Sequence, residues 1–131
     1  MPPSRSALRI TEFAAPKTPD CIAIGAILFL YGAGVASASG HFAPGTALWE
    51  TAERLLPGSA EKLLWVAQKI VPWLALVHGI EAVLFDQLRM KAYGVPRFSA
   101  LWWKWEISCF IEGLGSWKRI GKVIADKQKR A

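Results

Sequence analysis

Cysteine and histidine are scarce in this chain, with two of each among 131 residues. Cys21 and Cys109 sit far apart, each in an apolar run and without C-x-x-C spacing, so neither a disulfide framework nor a thiolate metal pair is indicated. The H-E-x-x-H pattern of zinc proteases is missing. So is a phosphate-binding glycine loop, since Gly32-Ala33-Gly34 lies inside an apolar run with no strand before it. Ser108 and Cys109 have no base placed beside them by spacing, which leaves no nucleophile–base arrangement. His41 is too far toward the end of its apolar run to pair with His78 as haem ligands. These absences remove the common catalytic and cofactor classes; no cofactor and no metal is expected.

The longest absence is of charge. From Cys21 to Trp49 there is no Asp, Glu, Lys or Arg. The whole chain is 53% apolar with seven Trp and a mean hydropathy of +0.26, more than a soluble domain of this size can bury. The composition predicts an all-α integral membrane protein. Three transmembrane helices are expected, about 21–39, 63–85 and 98–117, each near the roughly 20 residues that cross hydrocarbon. A short amphipathic interfacial helix is expected over Thr46–Leu56, capped by Thr46, with Leu48, Ala52, Leu55 and Leu56 on one face. The apolar run ending Val35-Ala36-Ser37-Ala38 also has the shape of a secretory signal with an A-x-A-like cleavage site, but its long preceding arm and near-spanning length favour a retained span.

Residues 1–20, with Pro2, Pro3, Pro16 and Pro19, read as a flexible N-terminal arm with no fold of its own. Residues 21–117 form the three-span membrane domain. Pro72 should kink the second span, and Lys69 near its start can reach the headgroups. Residues 118–131 form a basic C-terminal tail. It holds Lys118, Arg119, Lys122, Lys127, Lys129 and Arg130 against Asp126, and so carries most of the net charge of +6. That concentration beside an apolar segment suits an anionic membrane surface and not a nucleic acid. Ile120, Val123 and Ile124 form an apolar strip within it.

Ionisable groups inside an apolar segment are the natural functional candidates. His78 and Glu81 share a helix face. With a turn centred near residues 91–92, depth matching puts Glu106, Trp102 and Trp103 level with them. The expected site is therefore a polar junction or ligand-binding group of His78, Glu81, Glu106, Trp102 and Trp103. Gly25 and Gly32, on the small-residue surface of the first span, and Glu112, on a second polar face of the third, are expected to meet a partner.

From His78 to Ser116 the chain resembles the transmembrane protein 254 family, small membrane proteins of uncharacterised function. The resemblance rests on His78-Gly79-Ile80-Glu81-Ala82, Arg89 and Gly94, Trp103-Lys104-Trp105-Glu106, and Gly113 to Ser116. Glu106 stands where the family has Gln, and the Gly and Ser fall a residue or two later. The resemblance implies a multi-span fold and names no chemistry.

Three spans would put the arm and the turn at 86–97 on one side of the membrane, with the 40–62 connector and the tail on the other. Lys and Arg then divide six against eight, and the density of the tail favours a cytosolic tail. Lys127 and Lys129 resemble a dilysine retrieval signal of endoplasmic-reticulum membrane proteins. The function expected is that of a small non-catalytic subunit or scaffold of an endoplasmic-reticulum membrane complex. The alternative is lipid or sterol handling through the His/Glu cluster, with an apolar cavity ending there. Membrane lipids and another membrane protein, or a second copy of this chain, are the expected partners.

Overall fold

Thr18–Ala38 (α1) is a single uninterrupted helix, and it matches the first expected span closely. It is one of six α-helices in the computed structural model, which describes residues 8–130; among these no strand occurs. The others are α2 (Ala47–Leu55), α3 (Ser59–Lys69), α4 (Val71–Phe85), α5 (Ala100–Glu112) and α6 (Leu114–Arg130). Readings that fell on Pro2, Pro3, Arg5 and Ala131 lie outside the described residues. Among the described residues, two helical stretches are long and apolar enough to cross a membrane: Thr18–Ala38 and Val71–Met90.

The second expected span, 63–85, is divided. Helix α3 ends at Lys69 and α4 starts at Val71, immediately before Pro72. Proline has no N–H and its ring opposes the carbonyl four residues back, so the break falls where the kink was expected. The apolar helix then runs further than expected. Asp86–Met90 continue it as a π-helical turn, closed by Lys91 N–H donating to Asp86 O at 2.8 Å. The candidate span is thereby moved toward the C-terminus by a turn or more.

The third expected span, 98–117, is two helices. Gly113 breaks it with φ 60° and ψ −115°, a conformation that disfavours any residue with a Cβ. At 13 residues α5 is about 20 Å long, short of the roughly 30 Å of a bilayer core.

The chain forms two compact units. One comprises Met1–Ile24 with His78–Ala131, the other Gly25–Val77.

In the first unit α5 runs antiparallel to α4. Trp102 meets Asp86 at one end of the pair, and Phe110 meets His78 at the other. At Gly113 the chain reverses, and α6 returns along α4, where Trp117 stacks on Phe85 with 5.3 Å between ring centroids and Arg89 lies 5.1 Å over the Trp117 ring. The core is the space this hairpin encloses: Phe85, Met90, Trp105, Cys109 and Ile120 are fully buried, with Val123 and Ile124 beside them. The segment expected to be a tail is thus a helix whose apolar strip closes the core.

The described part of the N-terminal arm corrects the expectation of flexibility. Residues 8–17 have no regular structure, but Ile10 is only 3% exposed and belongs to the core. Ile10 N–H donates to Tyr93 O, and Trp105 Nε1–H donates to Glu12 O. Arg119 Nε–H donates to Ala14 O, and Lys127 to Thr11 Oγ1. An extended strap needs such partners because it has no internal ladder to satisfy its own peptide groups.

In the second unit α2 and α3 form a helix pair. Thr46 accepts from Trp49 N–H, as an N-cap residue does. Glu53 then accepts from the N–H groups of Gly58 and Ala60, both at 3.0 Å, so that α2 caps the start of α3. Helix α1 has no buried residue along its whole length. A Cβ on Gly34 would lie 2.8 Å from Val71 Cγ1, which makes Gly34 the point of close approach; Gly25 and Gly32 stand open, with nothing within 4 Å of an added Cβ.

Candidate functional site

His78 and Glu81 do come together, and what joins them is the α5–α6 reversal. One helical turn apart on α4, both point at Gly113. A methyl group there would collide with the Glu81 carboxylate and lie 3.1 Å from His78 Nε2. His78 Nδ1 is 2.8 Å from the Phe110 carbonyl, in the last turn of α5, and so carries the proton donated there. The imidazole thus donates to a carbonyl in the last turn of α5. Glu81 Oε2 is buried and accepts no hydrogen bond among the described residues, a state that costs on the order of 1–3 kcal/mol or more for a polar atom.

Glu106 makes no hydrogen bond to this pair among the described residues. It is buried, with Oε1 unpartnered among those residues, and it lies within electrostatic reach of Asp86 and Arg97. With the turn centred near Gly94, two to three residues later than 91–92, His78 is level with Phe110 and Glu106 with Ala82, next to Glu81; the π-helical turn at Asp86–Met90 lengthens the first arm of the hairpin. Among the described residues no group of three His, Cys, Asp or Glu side chains is placed to hold a metal ion.

The tryptophans divide in the same way. Trp102 Nε1–H donates to Asp86 Oδ1 at 2.7 Å, and Arg97 donates to Asp86 Oδ2 at 2.7 Å, which ties the turn together. Trp103 is half exposed and packs edge-on to Trp102 with 4.8 Å between centroids. Trp105, fully buried, fills the space beside Cys109 and stacks with Phe13 and Phe85.

Glu112 is not partner-facing. Its side chain is 4% exposed and forms an ion pair with Arg119, itself 10% exposed; Ser116 Oγ also donates to it. The expectation took 98–117 as one helix. The break at Gly113 places Glu112 over the first turn of α6 and brings Arg119 within reach. Arg119 and its contact with Phe13 had no signal in the sequence beyond a basic run.

An apolar groove lies in the second unit. It has a volume of about 380 Å³ and is lined by Phe29, Ala33, Leu48, Ala52, Leu55 and Leu63, among others; His78, Glu81 and Glu106 are not in its lining. Lys127 and Lys129 lie in the last turn of α6.

No family model, curated protein or solved structure matches this chain. The arrangement around Gly113 is chemically a junction. A histidine ties a helix end, a carboxylate packs against a glycine, and an ion pair locks the returning helix.

Proposed function

We propose that this chain is a non-catalytic integral membrane subunit or scaffold, anchored by α1 and by the α4 span. The observation that carries this reading is α1: a 21-residue, largely apolar helix with no buried residue. Such a surface is stable only in lipid or against another membrane helix. Its open small-residue positions, Gly25 and Gly32, allow a partner helix to approach closely.

The finer topology follows from two crossings. The arm and the turn at 91–99 lie on one side of the membrane, and α6, strapped to the arm, lies on that side too. The arm, α4's end, the turn and α6 hold eleven described Lys and Arg, against Arg54, Lys62 and Lys69 in the segment between the spans. The positive-inside rule, nearly balanced for three spans, now makes the arm side cytosolic. Helix α5 is then a re-entrant half-span. Its exposed stripe Trp103, Ile107 and Phe110, continued by Leu114, faces lipid, while its other face packs on α4. The resemblance to the transmembrane protein 254 family falls on this same stretch and supports a shared hairpin. Lys127 and Lys129, carried on the cytosolic side in this topology, support the endoplasmic reticulum as the address.

The test is native mass spectrometry from nanodiscs with mild cross-linking, comparing the natural chain with Gly25→Leu. Nothing in the chain itself lies within 4 Å of the added side chain's first atom, so the fold is unaffected. Loss of a co-purifying membrane protein or second copy by about tenfold or more is expected, since close packing is what small residues supply. A natural chain that runs as a bare monomer after cross-linking would sink the scaffold reading.

A further inference from the structure

Lys118 and Lys122 are one turn apart on the exposed face of α6, and neither ammonium has an ion-pair partner among the described residues. They line one wall of a groove of about 390 Å³ in the first unit, whose other wall is the end of the arm with Lys17 and the start of α1 with Asp20. Arg119 borders the groove but is committed to Glu112 and to Ala14 O. Asp20 Oδ2 accepts the backbone N–H of Lys17 at 3.2 Å, which turns that oxygen toward the chain and leaves the carboxylate charged. Among the described residues, three ammonium groups, from Lys17, Lys118 and Lys122, and the carboxylate of Asp126 have no ion-pair partner and stand available to an incoming group.

We propose that this groove binds the headgroup of a membrane phospholipid that carries both a phosphate and a primary ammonium. Lys17, Lys118 and Lys122 take the phosphate, and Asp126 takes the ammonium. The proposal rests on the reading of α1 as a membrane span, because that reading sets the groove at the polar edge of the bilayer, where Lys17 and Asp20 flank the start of the helix. Charge selects the occupant. A bare anion would meet Asp126 with no compensating group, whereas a phosphate joined to an ammonium complements both signs. Lysine serves a phosphate well as a compact point charge with three rotatable donors. A quaternary ammonium has no N–H to give Asp126, so it loses the hydrogen bond and keeps only the weaker Coulomb attraction.

The experiment compares lipid retention by native mass spectrometry from nanodiscs of phosphatidylcholine mixed equally with phosphatidylethanolamine of the same acyl chains. Phosphatidylethanolamine should be retained over phosphatidylcholine by about fivefold or more, as a charge-assisted hydrogen bond supplies. Retention of both lipids should fall in Lys118→Gln/Lys122→Gln. In Asp126→Asn only the preference should disappear. Lys129→Gln, on the same helix but outside the groove, should behave as the natural chain. Circular dichroism confirms that α6 is intact in each variant. Equal retention of the two lipids by the natural chain would overturn the proposal, as would a lysine double variant that retains them unchanged. Alkaline carbonate extraction separates the two readings. A chain that stays in the membrane pellet but shows no preference loses only the groove, whereas a chain released by carbonate loses the span and the groove together.

Discussion

Gly113 is the residue on which the hairpin turns, and its position is over-determined. Its backbone lies at φ 60° and ψ −115°, and the Glu81 carboxylate and His78 Nε2 occupy the space a side chain would need. Strain of this kind costs about 1–3 kcal/mol when a Cβ is added, before any steric term. Gly113→Ala should therefore lower the thermal unfolding midpoint of the detergent-solubilised protein clearly. Adding Glu81→Ala should recover only part of the loss, because it removes the collision and leaves the backbone strain. Full recovery would show that the reversal does not depend on the backbone conformation. His78 and Glu81 were legible in the sequence because ionisable groups stand out in an apolar run. Gly113 was not, since a glycine in a membrane segment is unremarkable without knowledge of its φ. The Glu112–Arg119 pair was hidden for a related reason. Seven residues along a straight helix span about 10.5 Å, too far for a contact, and only the break at Gly113 closes that gap.

At the scale of the elements, the arm is the clearest departure from expectation. Its prolines and polar residues read as flexible chain, and the peptide groups of residues 8–17 are outside any helix or strand. What holds it is a set of partners distant in sequence: Tyr93, Trp105, Arg119 and Lys127. Such pairings leave no periodic signal in the arm itself. Ile10 is the anchor, almost fully buried in the core. Ile10→Ala should cost about 2–5 kcal/mol by the usual scale for a buried aliphatic side chain, seen as a lower unfolding temperature. It should also make the arm more accessible to trypsin, with faster cleavage at Arg9 and Lys17. An arm cut as slowly as in the natural chain would show that Ile10 does not hold the strap. By contrast, α1 and the Thr46 cap were legible, the first from an uncharged run of spanning length and the second from local capping chemistry. The helix past Phe85 was missed because Asp86, Gln87 and Arg89 read as a turn. Asp86 is accommodated by Trp102 and Arg97, and those contacts exist only once α5 has folded back.

For the whole molecule, the decisive quantity is the number of crossings. An odd number separates the termini; two crossings keep them together. The hairpin argues for two, because α6 returns along α4 to meet the arm: Trp117 reaches Phe85, Arg119 reaches Ala14 and Lys127 reaches Thr11. The charge distribution agrees, since moving α6 to the arm's side changes a near balance of Lys and Arg into a strong excess on that side. Short complementation tags placed at the N-terminus, at the C-terminus and after Gly45 in the segment between the spans distinguish the two topologies. With the larger fragment expressed in the cytosol, the two terminal tags should both give signal and the Gly45 tag should give none. Signal from one terminus alone would restore a third crossing and return α5 and the start of α6 to a continuous span. In that case Gly113 would have to straighten, the Glu112–Arg119 pair would have to open, and the arm would lose its hold on Arg119. The same three tags therefore test the fold of the first unit and the orientation of the chain in one measurement.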